Sequence, residues 1–278
     1  MILSCIIRMV DSAVLCCFVV LSFANASTVI DRTSLSAQTI PLVSTKNDSV
    51  QLQCVHDENR IKISRAFVLQ VSTPNGHNKY EYALTTGHGF SDIGVGNTHT
   101  CKIVSAGGAV HDILSIRFAK NYKVGTPSDW AILVFKTKRK KNYIRYLLPQ
   151  SEDLLRFDDM AEVFMPVKFS EARGISHNTQ SCTLVPRRKA NMGFPIHSGF
   201  IPHTCRAVSG QSGSPVTVQS SGVAIALGIN IGNVFSFGEF GKKERPRFYG
   251  YMRVIDTEMV RELNGHITNI ESELHFKK

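Results

Sequence analysis

From Ile61 onward the chain is written in short apolar runs. Residues 67–71 (FVLQV), 80–85 (YEYALT), 101–104 (CKIV), 113–118 (ILSIRF) and 130–135 (WAILVF) each have strand length and carry β-branched and aromatic residues. Gly, Pro, Asn and Asp clusters separate them, and no long stretch of helical period intervenes. A second set follows at 163–169 (VFMPVKF), 182–185 (CTLV), 216–218 (VTV), 223–231 (VAIALGINI) and 249–254 (YGYMRV). Between the sets lie a basic run, Lys136 to Lys141, and a polar, acidic stretch at 147–162 that reads as a connection. Only the end looks helical: from Asp256 the order DTEMVRELNG offers an N-cap, early acidic residues and a Gly after the last turn. The pattern predicts an all-β protein with two barrel-like halves and a short C-terminal helix.

Ahead of this, residues 27–59 are polar and mixed, with one alternating stretch at 49–55 (SVQLQCV). They read as an N-terminal arm, a propeptide, or a first strand with its lead-in. The expected units are a signal peptide at 1–26, this arm at 27–59, a first barrel at 60–148, and a second barrel with the helix at 149–278. The signal peptide rests on a strongly apolar run at 13–23 followed by Ala24-Asn25-Ala26, an A-x-A cleavage pattern. That run is short for a bilayer core of about 30 Å, so cleavage and export, to the periplasm or outside the cell, are expected rather than membrane anchoring.

The chain has 278 residues and a formal net charge of +10. The charge alone does not select a partner, because a basic balance also keeps an exported protein soluble. Lys136 to Lys141 has only Tyr143 and Tyr146 as aromatic neighbours and no nucleic-acid motif, so it reads as a solvated loop face. Of seven cysteines, Cys5, Cys16 and Cys17 fall in the signal segment. Cys54, Cys101, Cys182 and Cys205 remain, which in an exported chain reads as two disulfides with three possible pairings. No C-x-x-C spacing suggests a structural zinc site.

Three motifs carry chemistry. Gly210-Gln211-Ser212-Gly213-Ser214-Pro215 places a serine between glycines, which permit a tight turn and an exposed hydroxyl. They also leave backbone N–H groups, those of Gly210 and Ser212, open to a substrate oxyanion. An ordinary Gly/Ser turn would look similar. A serine nucleophile needs a base, and the base an orienting acid. The strand at 80–84 runs into Thr85-Thr86-Gly87-His88, which supplies the base, and Asp129, directly before the apolar WAILVF run, supplies the acid. Asp112 is the alternative acid. The other histidines, His203 among them, read as surface or packing residues.

The order His, Asp, Ser on a β background resembles chymotrypsin-like serine proteases and not α/β-hydrolases or subtilisins. The GSP ending and His203-Thr204-Cys205 shortly before Ser212 are similar to the bacterial V8-like, glutamyl endopeptidase branch. The resemblance implies two antiparallel Greek-key barrels with the site between them. It implies peptide-bond hydrolysis through an acyl-enzyme, with no metal or organic cofactor and a protein or peptide as substrate. It also implies a Cys182–Cys205 bridge, which leaves Cys54 and Cys101 as the second pair. Ile231 to Asn233 would offer an edge strand to the substrate backbone, and Arg206, Ala207 and Asn230 would lie at the specificity pocket.

The chain departs from the branch at three of these points. Gln211 stands where trypsin-type zymogens carry an aspartate that receives a freed N-terminus. Asn230 stands where glutamyl endopeptidases carry a histidine, and Ala207 where a hydroxyl residue lines the pocket. Glutamate specificity therefore does not carry over, and a neutral P1 side chain is expected unless Arg206 turns inward. A catalytically silent module on the same fold remains the alternative reading.

Overall fold

The computed structural model describes residues 28–31, 50–57, 60–71, 80–91, 100–105, 108–136, 145–149, 162–167, 178–185, 199–220, 223–236 and 247–276. The expected signal peptide and most of the basic run lie outside them. The chain is mostly strand. The N-terminal elements are β1 (Thr28–Asp31), β2 (Val50–Asp57), β3 (Arg60–Leu69), β4 (Tyr80–Thr85), β5 (Cys101–Val104), β6 (Val110–Phe118) and β7 (Ala131–Lys136). Their pairing runs β3-β2-β5-β6-β7-β4, and β4 pairs back onto β3, so the path closes into a six-strand barrel. β1 pairs with the start of β3. This sheet thus begins before residue 60: the alternating SVQLQCV stretch is an inner strand between β3 and β5.

After β8 (Arg145–Tyr146) come β9 (Glu162–Val167), β10 (Asn178–Thr183), β11 (Phe200–His203), β12 (Pro215–Ser220), β13 (Val223–Ser236) and β14 (Arg247–Val254). They form an antiparallel sheet in the order β10-β9-β12-β13-β14-β11. It curls until Leu184, just past β10, bridges His203 at the end of β11. Number the strands of each half from one to six, taking β2–β7 and β9–β14. Both halves then read 1-2-3-6-5-4 around the ring, a Greek-key order compatible with a two-barrel chymotrypsin-like fold. The sequence shows no internal repeat; the repetition is in the topology.

Alternation explains how the halves pack. On β7, Ala131, Leu133 and Phe135 fill the first barrel with Val50, Leu52, Ala66 and Ala83. The intervening Ile132 and Val134 face outward into a second cluster. That cluster joins Phe67, Leu84 and Trp130 of the first half to Ala226 and Ile229 of the second. A strand buried on both faces reads as a continuous apolar run, which is why WAILVF shows no period of two. A third cluster, around Val163, Met165, Leu184, Val216, Leu227 and Met252, fills the second half. The connection between the halves is tied down as well. Arg145 makes a two-pronged bond to the buried Glu81 carboxylate, 2.8 and 3.2 Å, and Leu147 pairs with the backbone of Ala224 and Ala226.

The helix α1 spans Thr257–Phe276. Asp256 caps it: its Oδ1 accepts the Met259 N–H at 2.9 Å, and its Oδ2 accepts from Arg253. Burial works to raise the Asp256 carboxyl, but these bonds outweigh it and hold the group below its ordinary range. The helix does not stop at Gly265 as its sequence suggests. Met259, Leu263, Ile267 and Ile270 continue one apolar stripe against Tyr82, Leu84 and Trp130, and that burial carries the helix through the glycine. Both disulfides are formed: Cys182–Cys205 in the second half, the bridge the resemblance implied, and Cys54–Cys101 within the first sheet, the pair that remained.

Candidate active site

β4 ends at Thr85, and a 3-10 turn over Gly87–Phe90 carries His88. A Cβ at Gly87 would run into the Tyr122 ring, so the turn demands a glycine there. Asp129 precedes β7 in a turn closed by its own N–H to Thr126 O at 2.9 Å. Its carboxylate is fully buried and accepts three bonds. Oδ1 takes the His88 backbone N–H at 2.7 Å; Oδ2 takes His88 Nδ1 at 2.8 Å and the Gly125 N–H at 3.0 Å. Gly125 has φ +72°, which a glycine adopts without strain. A carboxylate can only accept, so Nδ1 carries the proton in the neutral ring and Nε2 is left a bare acceptor. That Nε2 is buried and has no hydrogen-bond partner among the described residues. Behind the ring, the buried Lys62 Nζ and the Ser91 hydroxyl both donate to His88 O, each at 2.9 Å.

Ser212 lies between two left-handed glycines, Gly210 at φ +84° and Gly213 at φ +87°. The loop docks on the first barrel. Arg65 N–H of β3 donates to Ser212 O at 2.8 Å, and Thr85 Oγ1, three residues before His88, donates to Arg65 O at 2.5 Å. Gly213 sits against both groups, and a Cβ there would collide with the Arg65 carbonyl. Ser212 is thus seated at the strand end that carries His88. Its Oγ donates to Ile231 O at 2.9 Å, not to His88 Nε2. From the second half, Tyr251 faces the same site; burial, and then the Asp129 charge, push its phenol upward.

Three of the loop's amides are spoken for. Gln211 N–H bonds Val208 O at 3.1 Å, Gly213 N–H bonds Asn230 O at 2.8 Å, and Ser214 N–H bonds Gln211 O at 3.0 Å. Gly210 N–H has no such bond among the described residues. The Gln211 side chain accepts from Val208 N–H at 2.7 Å and donates to Pro166 O at 3.3 Å. It braces the loop locally, where a zymogen-type aspartate would await an amine.

The expected pocket residues divide. Arg206 is exposed, whereas its neighbours Cys205 and Ala207 are buried, so alternation sets its side chain away from theirs. Asn233 is exposed on β13 and donates to Ala207 O at 2.6 Å, linking the two segments. Asn230 is fully buried with its amide committed on both ends, to Gln211 O and to His203. Ile231 contributes its carbonyl. Asp112 is placed apart, exposed on β6 and paired with Lys102.

Sequence reasoning missed Lys62, Gln211's brace and His203. Lys62 sits in I-K-I alternation, which signals a solvent-facing lysine, and its partner His88 is 26 residues away. His203 gave no signal beyond standing next to Thr204-Cys205. Compared with known proteins, the chain matches no protein-family model and no curated protein.

Proposed function

We propose that the protein is an exported serine endopeptidase with His88, Asp129 and Ser212 as its triad. The observation that carries this reading is the buried imidazole. Its Nδ1 is fixed on the Asp129 carboxylate, and its Nε2 is left bare, at the junction where the Ser212 loop docks. Ser212 Oγ turns from Ile231 O to His88 Nε2, attacks the scissile carbonyl, and passes its proton to Nε2. Asp129 stabilises the resulting imidazolium and holds its orientation. The N–H groups of Gly210 and Ser212 receive the oxyanion. The imidazolium then protonates the leaving amine, and water, activated by His88, hydrolyses the acyl-enzyme. The substrate backbone lies along Ile231 to Asn233. Two disulfides fit an oxidising, extracytoplasmic setting, and no helix among the described residues is long and apolar enough to cross a membrane.

The test is labelling by a serine-directed fluorophosphonate. The wild-type chain should label and hydrolyse a peptide library; Ser212→Ala and His88→Ala should do neither. Residual catalysis in each should fall to about 10³–10⁴-fold over water, and Asp129→Asn should be similarly severe. Absence of labelling in folded wild-type protein would point to the silent module instead.

A further inference from the structure

Asn230 holds the nucleophile loop by three hydrogen bonds and meets His203 with a fourth. Its N–H donates to Ser214 O and its O accepts from Gly213 N–H, both at 2.8 Å. Its side-chain Nδ2 donates to Gln211 O at 3.1 Å, and its Oδ1 meets His203 Nε2 at 3.2 Å. Asn230 and His203 are both fully buried. These contacts fix every proton. Gln211 O is an acceptor, so the amide nitrogen must face it and Oδ1 must face His203. Oδ1 also only accepts, so His203 carries its proton on Nε2, and its Nδ1 is a bare, buried atom with no partner among the described residues.

The carbonyl that Asn230 holds belongs to the peptide whose N–H is that of Ser212. A trans peptide is a rigid plane in which C=O and N–H point in opposite directions. Pinning Gln211 O from the inside therefore aims the Ser212 N–H outward. Ser214 N–H pins the same oxygen at 3.0 Å, so two donors set the tilt of one plane.

We propose that Asn230, oriented by the buried His203, is a positioning residue that aims the Ser212 N–H at the substrate oxyanion. This rests on the endopeptidase reading above. It differs from the specificity role that the resemblance gave Asn230, because the side chain is committed to the loop and not presented to a P1 group.

The experiment compares the full oxidised chain with Asn230→Ala, His203→Gln and His203→Leu. It measures kcat, KM and inhibition by a peptide aldehyde whose hemiacetal oxygen occupies the oxyanion position. Asn230→Ala should lower kcat about 10²–10³-fold, the loss expected when one oxyanion donor is misaimed. It should weaken the aldehyde by a similar factor and leave KM within about threefold. A merely structural role would not move kcat and aldehyde affinity together at constant KM. His203→Gln keeps an N–H donor and should stay within about threefold of wild type; His203→Leu should fall about tenfold or more. The ¹⁵N shifts of the His203 ring in the wild-type chain, which need no variant to fold, should report the Nε2–H tautomer. An Nδ1–H tautomer, or Asn230→Ala turning over within threefold of an active wild type, overturns the inference alone. A wild type that neither labels nor hydrolyses overturns the endopeptidase reading beneath it.

Discussion

Acid should destabilise this protein in part through one buried residue, His203. Burial lowers the His203 pKa from 6.5 to about 4, against the opposing pull of its bond to Asn230. Protonation would place an N–H on Nδ1, where the described residues supply no acceptor. At pH 7 the ring is neutral in both folded and unfolded chains, so its contribution to stability is intact. Below about pH 6.5 the unfolded chain takes a proton that the native state refuses. Stability is lost from there down to about pH 4 and then levels off. At pH 4.5 the linkage amounts to about 2.5 kcal/mol. The assay is urea unfolding of wild type and His203→Gln at pH 7 and pH 4.5. Glutamine preserves a donor and does not titrate, and every other ionisable group is common to both proteins. Wild type should lose about 2.5 kcal/mol more than the variant on acidification. Equal losses in the two, within about 0.5 kcal/mol, would show that His203 titrates normally and that the account of its burial is wrong.

Three further outcomes follow from particular contacts. Gly265→Ala should stabilise the chain by about 0.5–1 kcal/mol in thermal unfolding, because Gly265 is inside α1 and an added Cβ meets nothing within 4 Å. Replacing Cys182 and Cys205 by serine should cost about 3 kcal/mol for a bridge of sequence separation 23, and removing Cys54–Cys101, separation 47, about 4 kcal/mol, both read from denaturation midpoints. Matched peptides should show higher kcat/KM with Ala or Gln at P1 than with Glu or Lys. Arg206 is exposed and the Asn230 amide is committed, so neither offers a partner to a buried carboxylate. A tenfold advantage for Glu would contradict this.

Strands whose apolar content matches their burial were legible: the runs at 80–85 and 130–135 appear in the fold within one residue at each end. Others were under-read. β3 begins at Arg60, seven residues before its FVLQV run, because Lys62 and Ser64 are polar yet buried. β11, Phe200–His203, is four residues long and contains a proline, and nothing local marks FIPH as a strand. The helix end was misjudged because a glycine reads as a stop while the tertiary contacts of Ile267 and Ile270 are invisible in sequence. The site divides the same way. His88, Asp129 and Ser212 stand out because each sits at a strand end in a local motif. Asn230, Gln211, His203 and Lys62 act through partners distant in sequence, and a single chain does not record those pairings.

The placing of β2 limits how the N-terminus of the chain can be trimmed. β2 is an inner stave, hydrogen-bonded on one side to β3 and on the other to β5, and Cys54 bolts it to Cys101. A cut that released it would break the ring and bare two rows of unpaired backbone groups beside the histidine turn. An N-terminal trim that keeps the ring whole must therefore fall upstream of Val50. Nor does the nucleophile loop wait on the new terminus such a cut would create, since Gln211 already spans Val208 and Pro166. On the endopeptidase reading, this loop brace comes with the folding of the second half itself, through Gln211, Val208 and Pro166, and not through a newly cut end.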